Sequence, residues 1–198
     1  EEILPRGEDN LVQRCFRMPF EEAGLRVPSA SIVCRNEIPL DRGLGSSSAA
    51  VVGGLLAGNE ICEGPLSRGR LLELASAVEG HPDNAAPALL GGCQIVVEND
   101  GSLTAASVPV PEGLKAVLFI PDVPMPTEQA RDLLADGVRR EDAVYNMGRV
   151  ALLVRAFATG DLAHLATATD DRLHQPERQT IFPAMKNIIR AAMGAGAL

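Results

Sequence analysis

Residues 39–61 constrain this chain more than any other stretch. Pro39-Leu40-Asp41-Arg42-Gly43-Leu44-Gly45-Ser46-Ser47-Ser48 is a glycine- and serine-rich loop, and small or apolar residues follow it (Ala49, Ala50, Val51, Val52, Leu55, Leu56, Ile61). The pattern predicts a helix from Ser46 to Ile61 that is apolar on most sides, and a helix like that is expected to be buried. The loop then sits at the N-terminal end of a core helix. Glycines let a backbone approach an anion closely and take up positive φ. The first N–H groups of a helix and its dipole favour negative charge, and serine hydroxyls can donate to phosphate or bind the metal that accompanies it. The loop lacks the lysine of G-x-x-x-x-G-K-[ST] and the third glycine of the dinucleotide fingerprint. A plain serine-capped helix after a glycine turn is the simpler reading, but a cap alone has no use for two glycines and three serines in succession.

The chain has 198 residues, enough to bury a core in one or two domains. Its formal net charge of −8 argues against a nucleic-acid partner, which would want a basic stripe, but not against a nucleotide arriving with Mg²⁺. Cys15, Cys34, Cys62 and Cys93 form no C-x-x-C pair. They read as buried small hydrophobes in a reducing compartment rather than as a zinc or redox site. No apolar run approaches the ~18 residues of a membrane span, so no membrane partner is expected.

Apolar spacing predicts a helix over 10–24 and a strand over 29–38 that feeds the loop. Ser67 is a plausible N-cap for a helix to Glu79, and Pro82 opens a short helix that Gly91-Gly92 stops. Residues 93–98 and 104–108 read as a hairpin around Asn99-Asp100-Gly101. A further strand is expected over 114–120, then helices over 127–134, 141–159, 162–170 and 181–193. Strands come first and helices dominate later, which makes an α+β chain with a soft boundary in the proline-rich stretch 121–126.

Three further clusters could do chemistry. In Glu79-Gly80-His81-Pro82-Asp83-Asn84, polar and turn-forming residues interrupt two apolar helices. Glu79 could be a hard oxygen ligand for Mg²⁺, Asp83 could accept from a substrate amine or hydroxyl, and Asn84 can donate and accept at once. A helix–turn–helix linker is the alternative. Thr127 and Arg131 share one helical face, which makes either a carboxylate or phosphate clamp or a cap with a solvated arginine. Arg178 on its own is a surface arginine. Asn10 is a helix cap on its own evidence, and His164 and His174 are assigned nothing.

The loop resembles the phosphate loop of the GHMP kinases, Pro-x-x-x-Gly-Leu-Gly-Ser-Ser, matched at Pro39, Gly43, Leu44, Gly45, Ser46 and Ser47. Within that family, His81-Pro82-Asp83-Asn84-Ala85-Ala86-Pro87-Ala88-Leu89-Leu90-Gly91-Gly92 resembles the mark of the homoserine kinases. The resemblance spans residues 10–183. It implies an α+β GHMP kinase fold. The N-terminal ATP-binding part (1–110) would be built like the second domain of a small-subunit ribosomal protein, and the C-terminal part (111–198) would be ferredoxin-like. Both parts are expected to be incomplete, because members begin with further strands and carry another glycine-rich motif beyond the last helix here.

The activity implied is transfer of the γ-phosphoryl of ATP to the side-chain hydroxyl of L-homoserine, giving O-phospho-L-homoserine for threonine synthesis. Another small-metabolite kinase of mevalonate or shikimate type, or a non-catalytic binding relative, stays open. By resemblance Pro39, Arg42, Gly43, Leu44, Gly45, Ser46, Ser47 and Ser48 hold the nucleotide, and Asn10 stands where the family has an adenine contact. Ser47 and Glu79 hold Mg²⁺, with Glu73 the competing ligand. His81, Asp83, Asn84, Arg131 and Arg178 meet homoserine, the two arginines at its carboxylate. Asp83, Thr127 and Arg131 lie at the reacting centre, and whether Asp83 takes the hydroxyl proton is open. The partners implied are small molecules, with a homodimer compatible, in a cytoplasm or in the plastid of a plant-like host.

Overall fold

Asn10 starts the first helix, α1 (Leu11–Glu22), by accepting from the backbone N–H groups of Val12 and Gln13 at 3.0 and 3.3 Å. Its carboxamide N–H also ties back to the Pro5 carbonyl at 2.9 Å. The computed structural model describes residues 4–120 and 137–198, and these fall into two units, Glu1–Ser107 and Val108–Leu198.

In the first unit α1 packs against α2 (Ser46–Ile61). The contact is made through glycines. A Cβ on Gly54 would stand 2.5 Å from the Val12 carbonyl oxygen, and one on Gly58 would stand 2.1 Å from that of Phe16. Both contacts advance by four residues on each helix, so α1 and α2 run in the same direction. Ser67 caps α3 (Arg68–Glu79) through the Arg70 N–H at 3.2 Å, and Gly80, in the left-handed region at φ 78°, ends it. Then come α4 (Ala85–Leu90), β1 (Cys93–Asn99) and β2 (Ser102–Val108). The hairpin turns on Asp100 (φ 50°) and Gly101 (φ 78°), the positive pair that a two-residue turn between twisted strands requires.

The core lies where these helices meet. Cys15, Val51, Leu55, Leu71, Ala75 and Ala85 are buried in it, with Leu103 and Ala105 of β2 packed on its edge. Phe16 and Phe20 stack at 5.5 Å beside Cys62 in a smaller cluster. The second unit contains α5 (Arg140–Thr159), α6 (Leu165–Ala168), α7 (Gln175–Ile181) and α8 (Met185–Gly194).

Several sequence expectations are corrected. Residues 31–37 and 114–120 form no strand: their backbone is irregular, and among the described residues the sheet holds β1 and β2 only. Their β-rich composition favours extension, but a strand also needs a partner edge. The helix expected from Pro82 starts at Ala85, after a turn over 82–84. The helix expected over 162–170 shrinks to α6, and the one over 181–193 is two helices that meet at Phe182-Pro183. A proline disfavours helical geometry at the residue before it. Cys34 is exposed, unlike the buried Cys15 and Cys62. The expected helix over 127–134 lies outside the described residues.

Candidate functional site

The phosphate-loop candidate folds at the N-terminal end of α2. Gly43 (φ 67°) and Gly45 (φ 75°) take left-handed backbone there. Gly45 is the N-cap and has no side chain to cap with, so the first N–H groups of α2 remain available to an anion.

The last residue of α3 completes this end. The Glu79 carboxylate accepts the Ser47 hydroxyl on one oxygen and the Ser48 hydroxyl on the other. Ser48 is fully buried, the only polar residue in the buried set of the described chain. A carboxylate flanked by two hydroxyls is an all-oxygen donor set, the kind that hard divalent cations take. The competing Glu73 is engaged elsewhere. It pairs with Arg70 at 2.9 Å, and Arg70 also holds Glu22 at 2.8 Å. Behind Glu79, burial pushes the Cys15 thiol up to about 11, with the Glu79 charge adding to the rise.

After Gly80 the chain turns back, and His81 Nδ1 contacts the Asp83 carboxylate. The imidazole is mostly covered while Asp83 is exposed, so His81 orients a carboxylate that faces outward. Asn84 opens α4 and makes no cap bond with its own side chain. It lines an open groove of about 490 Å³ together with Leu44, Gly45, Ala49, Gly53 and Pro87. That groove brings the loop and the second motif to one place.

The remaining candidates divide. Asn10 caps α1, with its carboxamide committed to backbone groups. Pro39 is exposed and Arg42 half-buried within the loop. Arg178 is exposed on α7, in the second unit. Thr127 and Arg131 lie outside the described residues.

Two roles were missed in the sequence. The sequence reading gives Ser48 to the nucleotide alone, although its place three residues past Gly45 and beside Ser47 puts it on the same turn. Asp171 was assigned nothing. It takes the backbone N–H groups of His174 and Gln175 and the Asn146 carboxamide. The signal was Gln175-Pro176, a helix-start pair with an acidic residue upstream.

The same region resembles known proteins. Residues 10–92, which carry the loop, Glu79 and the His81–Asn84 turn, match the family model for the GHMP kinases N terminal domain. A homoserine kinase of Caldicellulosiruptor bescii is 42% identical over 194 residues, 98% of this chain and 63% of that protein. One of Moorella thermoacetica is 41% identical over 198 residues, 100% of this chain and 67% of that protein. The crystal structure of a homoserine kinase from Cytophaga hutchinsonii superimposes with a TM-score of 0.80 at 27% identity, covering 98% of this chain and 63% of that one. The chain thus spans a little under two thirds of the length of the first of these relatives. With a relative 41% identical along its whole length, of which it covers 67%, the chain belongs to the GHMP kinase family, in its homoserine kinase group.

Proposed function

We propose that the protein containing this chain transfers the γ-phosphoryl group of ATP to the side-chain hydroxyl of L-homoserine. One observation carries the proposal: the Glu79 carboxylate gathers the hydroxyls of Ser47 and Ser48 at the glycine-loop end of α2. The relatives' names supply the substrate.

Mg²⁺ fits this donor set, and Ser47 and Glu79 would hold it. Bound there, the ion supplies charge neutralisation at the phosphate oxygens. The chain's own residues do the rest by positioning. The N–H groups following Gly45 receive phosphate oxygens, and Gly43 leaves the backbone close to them. Asn84 offers a donor and an acceptor to the homoserine end. Asp83, held by His81, accepts from the substrate. Arg178, with Arg131, pairs with the substrate carboxylate in a fork that lysine could not match. Thr127 lies near the reacting hydroxyl. A loose transition state asks little of a base, so Asp83 orients the hydroxyl rather than deprotonating it. Nearly full turnover in Asp83→Asn would support that division. This chemistry suits a cytoplasmic enzyme, and a homodimer is compatible with it.

The test is ADP release by the full-length protein with and without L-homoserine. Homoserine-dependent turnover whose homoserine KM rises in Arg178→Ala and Arg131→Ala supports substrate and pocket together. Turnover only with another alcohol keeps the kinase and discards the substrate. Nucleotide binding with no turnover on any acceptor leaves a binding relative.

A further inference from the structure

The second unit contains a side-chain network that the phosphate-loop site does not use. Asp171 Oδ2 accepts from the backbone N–H groups of His174 and Gln175, each at 2.6 Å. Its other oxygen takes the Asn146 carboxamide N–H and faces His174 Nδ1 at 3.3 Å. Asn146, on α5, also grips the next residue: its Oδ1 accepts the Arg172 N–H at 3.0 Å. The Gln175 side chain returns to the Thr169 carbonyl at 3.0 Å. The segment from Thr169 to Gln175 is therefore pinned to α5 at two points and closed on itself at a third.

Helix α7 depends on this segment. It is seven residues long, and its N-cap residue His174 makes no side-chain cap bond. A helix of that length is not stable alone. Asp171 satisfies the N–H groups at its start from four residues upstream of Gln175. Arg178 begins the next turn, its N–H bonded to the His174 carbonyl at 2.9 Å. Wherever Asp171 sets the first turn, Arg178 follows.

We infer that Asp171, held by Asn146, is the positioning residue for Arg178, fixing α7 so that the guanidinium is presented to the substrate carboxylate. The inference rests on the assignment of Arg178 to that carboxylate. The ionised state of Asp171 agrees with it. Burial opposes the charge, but the Gln175 N–H, the Asn146 carboxamide and the His174 and Leu173 N–H groups outweigh burial and hold the carboxyl well below its ordinary range. The clamp stays closed at any pH where the enzyme would be assayed.

The experiment varies L-homoserine and ATP separately in the full-length protein and compares Asp171→Ala, Arg178→Ala and the double variant. Losing a charged hydrogen-bond partner predicts a homoserine KM raised at least ~10-fold in Arg178→Ala. Asp171→Ala should raise the same KM ~3–10-fold while the ATP KM holds, since a cap is the weaker interaction. The double variant should be no worse than Arg178→Ala. Asp171→Ser, which keeps a capping oxygen, should fall between wild type and Asp171→Ala, and it carries the comparison if the alanine variant does not fold. A raised homoserine KM in Arg178→Ala with none in the Asp171 variants overturns the inference alone. Effects of Asp171 on both KM values that add to those of Arg178→Ala show a general structural role and also overturn it. An unchanged homoserine KM in Arg178→Ala removes the Arg178 assignment, and the inference falls with it.

Discussion

Ser48, fully buried in the first turn of α2, gives its hydroxyl to Glu79 at the last residue of α3. The bond joins the start of one helix to the end of another, and it fixes the carboxylate where Ser47 also reaches it. Ser48→Ala leaves that oxygen of Glu79 without this partner. Losing a ligand's supporting hydrogen bond costs ~10–100-fold in metal affinity. Turnover measured against Mg²⁺ concentration should therefore show a raised Mg²⁺ requirement in Ser48→Ala and a larger one in Glu79→Gln. Glu73→Gln should leave it unchanged, since Glu73 is tied to Arg70. An Mg²⁺ requirement that follows Glu73 instead would reverse the choice of ligand.

Two glycines five positions apart on α2, Gly58 and Gly53, should respond oppositely to the same substitution. Gly58→Ala drives a Cβ to 2.1 Å from the Phe16 carbonyl oxygen, and the backbone of α1 has to move. Overpacking of this kind costs ~1–3 kcal/mol or more. Gly53→Ala meets nothing within 4 Å, and removing a helix-interior glycine gains ~0.5–1 kcal/mol. Urea unfolding of the two variants gives the comparison directly, and equal midpoints would mean that the α1–α2 contact is looser than described.

Cys15 and Cys34 should separate in a thiol-labelling time course. Cys34 is exposed, whereas Cys15 is buried with its thiol pushed up to about 11. At pH 8, iodoacetamide should modify Cys34 quickly and leave Cys15 intact until the first unit unfolds. The sign of the linked pH effect follows. The folded state favours the neutral thiol, so this stabilisation is present below pH 9.0 and is lost as pH rises from there towards 11.

Asp171→Asn should show the opposite pH dependence. The folded carboxyl is held below its ordinary value of 3.8. Its contribution is therefore present above that pH and fades as pH falls below it. Exchanging the charged acceptor for a neutral one predicts a destabilisation of about 1 kcal/mol at pH 7. Thermal unfolding of wild type and variant should converge in acid. A gap that persists undiminished at low pH would mean that the charge contributes nothing.

What could be read in the sequence was what a short segment decides for itself. Helix α2, the Ser67 cap and the hairpin at Asp100-Gly101 each have their signal within a few residues, and each forms where that signal stands. The break at Pro183 is equally local, but the apolar period on either side runs across it. The stretches 29–38 and 114–120 show the other limit. Their composition favours extension, but pairing depends on an edge that the segment does not encode. In the site, Ser47 and Glu79 were legible from residue type. The part played by Ser48 depends on a contact 31 residues away, and that of Asp171 on Asn146, 25 residues away.

Those two unpaired stretches also determine how residues 1–198 would behave by themselves. Val33 is 80% exposed, Val117 86% and Phe119 74%, on backbone with no ladder to occupy its hydrogen-bonding groups. Unpaired backbone bearing bare aliphatic and aromatic side chains recruits its like. Made in isolation, this stretch would be sticky, passing from monomer to soluble oligomer to precipitate as its concentration rose. Its solubility would depend on what covers those side chains rather than on how well the helical core of the first unit is packed.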